Sequence, residues 1–458
     1  MLRKWQEECV SQAFDKYQSG FSHFFCQATP GAGKSIMAAT LGKALLDDRM
    51  VDLLLCFSPS ISVADNMKKT FSRITGCSFN GSLGSIGQSL TYQAIPFLDD
   101  SFWCTIEKYR VFVVFDEIHH CSGDELDTAN VWGQQILTRI QGIATYTLAL
   151  SGTPWRSDRL PIVMAEYSDP DGELRCDHQY GLAQAILDNV CRQPKLVLVD
   201  NEHLTISEGK EMKSFTSILA LLKQSKTSYQ DVIHNAEAME HILRLGCQKL
   251  SDIRLESSHA GGLIVASSVK HAKKVLKLLT KKFGQSATLV TYHHEDPITE
   301  IERYRNGSTQ WIVSVGMISE GTDIPRLQVC CHISSVKTEL YFRQVLGRIL
   351  RVNDAPNQQA WLYTFAEQSL IEYAERIEQD IPETCLFSKM EQLEKSGALE
   401  KAKLSDFTTG EQRQKVASQH LFEWSGTSKA SLLENHSDET FDDICLGRFR
   451  ERVISAFT

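Results

Sequence analysis

Short apolar runs separated by helix-like segments dominate the first third of the chain. Runs at 21–27, 51–58, 109–115 and 144–150 are rich in aliphatic and aromatic residues and read as buried strands. The segments between them repeat apolar residues at helical spacing. This alternation predicts a parallel sheet with helices on both faces over residues 1–170.

The same alternation returns in the second half. Residues 161–172, rich in Pro, Asp and Gly, predict a linker. Helices are predicted over 180–190, 215–250 and 269–283, and strands over 195–199, 263–266, 287–292, 311–315, 329–333 and 361–365. From residue 368 onward the pattern is helical, charged and poor in strand signals. We predict an α/β protein with two tandem parallel-sheet domains, at 1–170 and 171–367, and an acidic helical C-terminal extension at 368–458.

Composition is that of an ordinary globular protein, with 42% hydrophobic and 23% charged residues. We expect no membrane association, because no apolar run is long enough to span a bilayer and the N-terminal segment lacks an apolar signal core. The 13 cysteines are an odd number without any Cys-x-x-Cys spacing. Reduced thiols and a cytoplasmic location are therefore expected.

The charge is unevenly distributed. The net charge is −9, and residues 368–458 contain 17 acidic and 11 basic residues, so the rest of the chain is closer to neutral. An acidic total still permits a local basic track for phosphates. The predicted helix at 269–283 has such a candidate in six lysines opposite an apolar face. The pattern alone favours a solvated surface over a phosphate track.

A glycine-rich loop connects the strand at 21–27 to a helix. Its sequence is Ala28-Thr29-Pro30-Gly31-Ala32-Gly33-Lys34-Ser35, and a helix-like pattern follows it. Such a turn aims backbone N–H groups and the positive helix end at one point, which suits a phosphate chain. Lys34 would reach the β- and γ-phosphates of ATP and Ser35 would hold Mg²⁺.

Two consecutive carboxylates, Asp116 and Glu117, end the strand predicted at 109–115. At the carboxyl end of a parallel strand they would face the glycine-rich loop. Asp116 is predicted to hold the Mg²⁺ shell, and Glu117 to orient and deprotonate the attacking water.

Three polar side chains fall on one face of a predicted helix far downstream. Gln344, Arg348 and Arg351 recur at spacings of four, three and seven residues. Two guanidinium groups suit γ-phosphate oxygens better than ammonium groups would. Because they are distant in sequence from the loop, we predict that they enter the site from the second domain, so that hydrolysis requires domain closure.

In this order the motifs resemble superfamily-2 helicases and translocases of the DExH type, related to the motor subunits of type I and type III restriction enzymes. The resemblance spans about residues 2–366. It is carried most specifically by 28–35, by Asp116-Glu117-Ile118-His119, by 315–325 (VGMISEGTDIP) and by 344–351 (QVLGRILR). Weaker matches are the 2–6 segment, 57–60, 91–93, 151–156 (SGTPWR) and 263–268.

The resemblance implies two RecA-like domains and roles for further residues. Gln6 would read the adenine edge, Asp323 would contact the ribose, and Gly321 and His119 would belong to the nucleotide site. Contacts to the nucleic-acid backbone would come from Ser58, Pro59, Ser60, Thr91, Gln93, Ser267, Gly316 and Met317.

The expected function is ATP hydrolysis, with Mg²⁺, coupled to movement along nucleic acid or its separation. DNA is favoured over RNA because the motifs resemble restriction-type motors. Two alternatives remain open: an RNA helicase of the same architecture, or a nucleotide-gated subunit of a DNA restriction or defence complex that unwinds nothing alone. The acidic extension would then be a docking element for a partner protein.

Overall fold

A computed structural model describes residues 2–122, 129–153, 160–168, 174–208, 211–291, 296–316, 322–379, 444–446 and 448–455. The elements of the first half, in chain order, are α1 (Lys4–Gln18), β1 (His23–Ala28), α2 (Lys34–Asp47), β2 (Leu53–Ser58), α3 (Ile61–Thr75), β3 (Gly87–Thr91), α4 (Asp100–Lys108), β4 (Val111–Phe115), α5 (Val131–Arg139), β5 (Tyr146–Ser151), β6 (Glu166–Tyr167), β7 (Leu174–Arg175), β8 (His178–Tyr180) and α6 (Leu182–Leu187). Short 3-10 turns lie at Tyr92–Phe97 and Ile118–His120.

The first half forms a six-stranded sheet in which all neighbouring strands are parallel. Its strand order is β3-β2-β4-β5-β1-β8. All five residues of β4 are buried, because helices cover both faces of the sheet, and this explains the unbroken apolar run. Local signals fix the helix ends: Ser60 caps α3 by accepting a hydrogen bond from Val63, and Gly76 ends it at φ +73°.

The second half forms a larger sheet and a small one. Its elements are β9 (Gln193–Asn201), β10 (Leu204–Glu208), β11 (Glu211–Phe215), α7 (Ile218–Gln224), α8 (Tyr229–His234), α9 (Ala236–Glu256), β12 (Gly261–Ala266), α10 (Val269–Lys277), β13 (Ala287–Val290), α11 (Pro297–Asn306), β14 (Trp311–Ser314), β15 (Leu327–Ile333), α12 (Glu339–Ile349), β16 (Gln359–Phe365), α13 (Gln368–Gln379), β17 (Ile444–Leu446) and β18 (Phe449–Ser455). A π-helical turn, Leu278–Lys282, extends α10.

The larger sheet has the order β13-β14-β12-β15-β16-β9-β18. It is parallel except at β18, which pairs antiparallel with β9. The small antiparallel sheet has the order β11-β10-β17. The structure therefore confirms the α/β fold class with two parallel sheets in tandem.

All ten predicted strands are present, and their ends differ from the prediction by two residues at most. The predicted helix over 215–250 is instead three helices, α7, α8 and α9, because the Asn235 side chain accepts hydrogen bonds from the first turn of α9 and starts a new helix there. The predicted helix at 180–190 is shortened, because Tyr180 belongs to β8. Strand β6 lies within the predicted linker at 161–172 and pairs with β7, which begins just after it.

The C-terminal region contains strands as well as a helix. Helix α13 agrees with the predicted helical pattern, but β17 and β18 were not expected. They form because each completes an existing sheet, at β10 and at β9 respectively. Residues 380–443, 447 and 456–458 of the predicted extension lie outside the described residues.

The predicted boundaries at 170 and 367 stay predictions as domain limits. Two strands that follow these boundaries belong to the sheet before the boundary: β8, after residue 170, is part of the first sheet, and β18, after residue 367, is part of the second. Every cysteine in the described part of the chain is a free thiol. Among the described helices, none is long and apolar enough to cross a bilayer.

Candidate nucleotide site between the two sheets

The glycine-rich loop lies between β1 and α2 and is held from outside by helix α1. Gly33 sits at the start of α2 with φ +93°, and its carbonyl accepts a hydrogen bond of 2.9 Å from Gln6 Nε2. A Cβ at Gly33 would lie 2.7 Å from that nitrogen, so only glycine fits. Arg3 Nη1 donates to the Ala32 carbonyl at 2.7 Å and to the Gly31 carbonyl at 3.2 Å. With its carbonyls bonded to α1, the loop is fixed in shape.

Gln6 is buried and both ends of its amide are bonded to backbone groups. Its Oε1 accepts from Arg3 N at 2.9 Å and its Nε2 donates to Gly33. These bonds explain its burial by loop anchoring, and the adenine contact stays a prediction.

The buried Lys34 and the partly buried Glu117 form an ion pair at the carboxyl edge of the first sheet. Lys34 Nζ lies 3.1 Å from Glu117 Oε1 and donates to the Ala28 carbonyl at 3.1 Å. Glu117 Oε2 accepts from Gly152 N at 3.1 Å. Burial alone would raise the pKa of Glu117, but the charges of Lys34 and His119 outweigh it and lower this pKa to about 2. Glu117 is therefore a charged base at neutral pH.

Asp116 differs from its neighbour in its surroundings. It is 6% exposed, and its Oδ1 has no hydrogen-bond partner among the described residues. Burial, followed by the Glu117 charge, raises the pKa of Asp116 to about 7. A buried carboxylate oxygen without a partner is a position that a divalent cation would satisfy. Ser35, the second residue of α2, is the other predicted ligand. The residues present therefore fit Mg²⁺.

His119 connects Glu117 to the end of β5. Its Nδ1 lies 3.0 Å from Ser151 Oγ and 3.5 Å from Glu117 Oε2. Ser151 Oγ also accepts from Thr153 N at 3.2 Å. The 151–153 part of the predicted SGTPWR motif thus touches the DExH residues, and 154–156 lie outside the described residues.

Helix α12 of the second sheet packs directly on the glycine-rich loop of the first. A Cβ at Gly347 would lie 2.7 Å from Pro30 Cβ, and a Cβ at Gly31 would lie 3.3 Å from Arg351 Cγ. Cys191, in the connection between the sheets, donates from Sγ to the Pro30 carbonyl at 3.6 Å. Helix α12 therefore contacts the glycine-rich loop although the two are far apart in sequence.

Arg348 of α12 and Arg351, which follows the helix, converge on one backbone carbonyl. The prediction that Arg351 shares a helix face with Gln344 and Arg348 is wrong, because α12 ends at Ile349 and Arg351 forms a β-bridge with Cys191. Arg348 Nη1 and Arg351 Nη1 donate to Thr322 O at 2.8 and 2.6 Å. Arg351 also pairs with Asp323 Oδ1 at 2.8 Å, and Asp323 Oδ2 pairs with Arg305 at 3.3 Å. Both guanidinium groups are thus gathered beside the loop, while the ribose contact of Asp323 stays a prediction.

Three further predicted site residues belong to the second half of the chain. Gln344 is 6% exposed on α12. Gly321 and Met317 lie outside the described residues.

Comparison with known families agrees with this arrangement. Residues 1–156 match the family described as type III restriction enzyme, res subunit, and residues 246–353 match the helicase conserved C-terminal domain. The chain belongs to the superfamily-2 helicases related to restriction-enzyme motor subunits. The first match contains the loop and the DExH residues, and the second contains α12.

Relatives of this helicase-type chain include proteins with and without a described role. An uncharacterised protein of Mycobacterium tuberculosis is 29% identical over 394 residues, which cover 82% of this chain and 63% of that protein. This chain therefore spans less than two thirds of that relative. A DNA 3'-5' translocase of Sulfurisphaera tokodaii is 22% identical over 375 residues, covering 77% of this chain and 79% of that protein.

Two solved structures share the fold. A fragment of an HsdR subunit of a type I restriction enzyme from Vibrio vulnificus has a TM-score of 0.56 at 16% identity, over 83% of this chain and 67% of that one. The ATP-dependent type ISP restriction-modification enzyme LlaBIII, solved bound to DNA, has a TM-score of 0.54 at 14% identity, over 86% of this chain and 29% of that one.

The predicted nucleic-acid residues of the first sheet lie side by side at its carboxyl edge. Ser58 and Thr91 are opposite each other in the parallel pair of β2 and β3. Gln93 Nε2 donates to the Pro59 carbonyl at 3.1 Å, and Ser60 caps α3. Three strand spacings separate β2 from β1, so this edge is roughly 14 Å from the glycine-rich loop.

Their counterparts in the second sheet follow neighbouring strands. Ser267 follows β12 and Gly316 follows β14, which pair in parallel. Ser267 Oγ lies 2.7 Å from His234 Nε2 and 2.9 Å from His271 Nδ1. These histidines fix the orientation of the Ser267 hydroxyl.

Arg192 is a residue of the helicase core that sequence reasoning missed. Its side chain is 1% exposed, in the connection between the two sheets. Its acceptors lie next to Asp323 and at the end of α12: the carbonyls of Pro325, Leu327 and Ile349 and the side chains of Asn353 and Gln358, at 2.6–3.3 Å. Arg192 N also donates to Leu350 O at 2.6 Å. No local pattern signals this role, because every partner is distant in sequence.

Proposed function

We propose that this protein hydrolyses ATP between its two sheets and uses the cycle to move along DNA. The observation that carries the proposal is the contact of α12 and the residues just after it with the glycine-rich loop: Gly347 of α12 meets Pro30, and Arg351 beyond its end meets Gly31. A cradle from one sheet and arginines from the other then surround one phosphate position.

ATP would rearrange the Lys34–Glu117 ion pair. A triphosphate entering the loop draws Lys34 toward its β- and γ-phosphates, since phosphate carries more negative charge than one carboxylate. Glu117 then loses its strongest counter-charge and keeps its bond to Gly152 N. The freed carboxylate can accept the proton of an attacking water.

Asp116 and Ser35 would hold Mg²⁺ beside this base. Bound there, the ion would shield the charge of the phosphate oxygens during transfer. Ionisation of Asp116 is favoured by a cation, because burial and Glu117 otherwise oppose its negative charge.

Arg348 and Arg351 would complete the site. In the structure both donate to the Thr322 carbonyl, so they are close to the loop and already oriented by the segment before Pro325. Turning toward the γ-phosphate, an arginine of this kind contributes about 10³–10⁵ in rate in P-loop hydrolases. Because these side chains come from the second sheet, hydrolysis depends on how the two sheets close.

DNA is the preferred substrate. The Sulfurisphaera relative is a DNA translocase, and LlaBIII was solved with DNA. Hydroxyl and amide groups at the carboxyl edges of β2, β3 and β12 suit backbone contacts, which would make binding sequence-tolerant and salt-sensitive.

A comparison of ATP turnover with single-stranded DNA, duplex DNA and RNA tests this proposal. We expect stimulation by DNA, and we expect Lys34→Ala to abolish turnover. Stimulation by RNA alone would identify an RNA helicase instead. Turnover by Lys34→Ala at the wild-type rate would refute the site itself.

A strand-displacement assay on the pure chain distinguishes a helicase, which unwinds DNA, from a nucleotide-gated subunit that unwinds nothing alone. A chain that hydrolyses ATP on DNA without displacing a strand is a translocase or needs a partner. The extension in which a partner was predicted to dock lies largely outside the described residues.

A further inference from the structure

Positive charge is concentrated in one stretch of this acidic protein. Residues 257–294 contain six lysines and neither Asp nor Glu, whereas the whole chain has a net charge of −9. All six lysines belong to α10 and the π-helical turn that continues it: Lys270, Lys273, Lys274, Lys277, Lys281 and Lys282.

Helix α10 turns these lysines to solvent. The opposite face of this helix is apolar and packs on the second sheet, where Ala272, Val275 and Leu279 are buried. All six lysines are exposed. Lys282 pairs with Glu240 at 2.5 Å. Within the described ranges, no carboxylate lies within ion-pairing distance of Lys273, Lys274, Lys277 or Lys281.

The exposed row formed by Lys273, Lys277 and Lys281, which we call the α10 lysine row, is electrostatically unfavourable on its own. Its members follow each other at i and i+4, where like charges on a helix cost about 0.2–0.5 kcal/mol per pair. A partner that is itself an extended polyanion relieves this repulsion.

The N-terminal end of the helix lies at the proposed nucleic-acid position. Ser268 caps α10 directly after Ser267, so the positive helix end lies there. Lys270 and Lys274 are close enough to His234, the partner of Ser267, to lower its pKa after burial has done so. From Lys270 to Lys281 the lysines extend roughly 16 Å along the helix.

We propose that the α10 lysine row is a second phosphate-binding track, which holds nucleic acid that has passed the Ser267 edge. The proposal rests on the proposed function and extends it. The cleft, by which we mean the predicted contact residues at the carboxyl edges of β2, β3 and β12, holds one short segment of nucleic acid, and the α10 lysine row holds the backbone that flanks it. Such contacts are sequence-independent and salt-sensitive, so they strengthen binding to long strands only.

The test is a salt series with the triple variant Lys273→Ala, Lys277→Ala, Lys281→Ala. A charge-matched control changes three exposed lysines elsewhere: Lys108→Ala, Lys223→Ala and Lys226→Ala. Binding of labelled DNA by fluorescence anisotropy is measured from about 50 to about 200 mM salt. One strand has about 10 nucleotides, enough for the cleft, and another has about 40.

For the long strand, we expect the slope of log K against log salt to become shallower by about 2, roughly 0.7 for each lost contact to a single strand. The short strand should show the wild-type slope with both variants, and ATP turnover without DNA should be unchanged. The midpoint temperature of thermal unfolding should not decrease, because alanine favours a helix and its introduction removes the repulsion between the lysines.

Equal slopes for the row variant and the control on the long strand would overturn the track while leaving the ATPase proposal intact. Absence of salt-dependent DNA binding by the wild-type protein would overturn both. A loss that is the same for short and long strands would assign the row to the cleft itself and also refute a second track.

Discussion

Asp116 and Glu117 are adjacent in sequence, yet their surroundings separate their acidities. Burial and the neighbouring charge raise the pKa of Asp116 to about 7, whereas Lys34, His119 and the Gly152 N–H overcome burial at Glu117. Glu117 also adopts φ +50°, a strained conformation for a residue with a side chain. That backbone turn lets two consecutive carboxylates face different partners.

Glu117→Gln should slow hydrolysis while retaining ATP. The amide can still accept from Gly152 N, but it cannot take a proton from water. We expect turnover to fall roughly 100-fold or more. Single-turnover kinetics and equilibrium binding of labelled ATP measure the two effects. The exposed Glu166→Gln is the matched control, and equal turnover of the two variants would contradict a catalytic role for Glu117.

The positions of single residues could be predicted from the sequence where a chemically suitable side chain stands in a recognisable short motif. Lys34, Asp116 and Glu117 stand in short motifs whose spacing already implies their positions at strand ends. Arg3 and Arg192 could not be found in this way, because both donate to backbone carbonyls of remote segments, and any sequence supplies carbonyls.

Among the elements, helix α12 depends on close approach to the loop. Gly347 lies in the last turn of this helix, and inside a helix glycine is less favourable than alanine, by up to about 1 kcal/mol. A Cβ there would lie 2.7 Å from Pro30 Cβ. The glycine therefore sacrifices helix stability for contact between the sheets.

Gly347→Ala should push α12 away from the loop without unfolding the protein. We expect turnover to fall roughly 10- to 100-fold, as for a displacement of catalytic groups by about 1 Å. ATP affinity should change little, because the cradle lies on the first sheet. Steady-state turnover, ATP binding and thermal unfolding are the measurements.

Gly42→Ala in α2 is the control, because an added Cβ there would meet side-chain carbons at 3.2 Å or more. Wild-type turnover in Gly347→Ala would show that the contact with Pro30 does not matter for catalysis.

Strands were predictable when both faces of the sheet are covered. Buried strands such as β4 and β12 read as continuous apolar runs. Strand β3 was missed because its sequence, GQSLT, is mostly polar and none of its residues is fully buried. Strand β18 was missed because it is an edge strand with charged, exposed positions.

Across the whole molecule, Arg192 joins the connection between the sheets to the end of α12. Burial lowers its pKa to about 10, which leaves it charged at neutral pH. Its five side-chain hydrogen bonds go to neutral acceptors, in two segments that adjoin Asp323 and Arg351. Arg192 therefore ties the connection between the sheets to the segments next to Arg348 and Arg351.

Arg192→Lys should lower the turnover number more than it changes KM for ATP. Lysine keeps the charge but cannot span five acceptors with one ammonium group. Arg192→Met should be worse and should also lower stability, by about 1–3 kcal/mol for each buried carbonyl left without a donor.

Turnover, KM and urea unfolding on the three proteins distinguish the effects. Activity loss that is fully explained by the unfolded fraction would reduce Arg192 to a structural residue. Partial recovery in the lysine variant supports positioning.

Acid should destabilise the folded chain through its buried histidines. Burial lowers the pKa of His332 and of His23 to about 4, and that of His271 to about 3. Unfolded histidine titrates near 6.5, so only the unfolded state gains protons as the pH first falls. Stability is complete above about pH 6.5 and decreases toward about pH 4, by roughly 2 kcal/mol per histidine at pH 5.

Urea unfolding at several pH values measures this dependence. His332→Phe keeps a ring in a pocket lined by Tyr341 and Phe342 and removes one titrating group. Its stability should depend less steeply on pH than that of the wild type. The exposed His259→Asn is the control, and equal slopes for the two variants would contradict the assignment.

Strand β18 protects the backbone of β9, which would otherwise form an open margin of the second sheet. Cutting the chain after residue 379, at the end of α13, would uncover those N–H and C=O groups. The exposed edge strand β9 of one fragment would then pair with that of another fragment. A shortened recombinant version designed from the motifs alone is therefore expected to precipitate, and re-supplying 444–455 as a synthetic peptide should rescue its solubility.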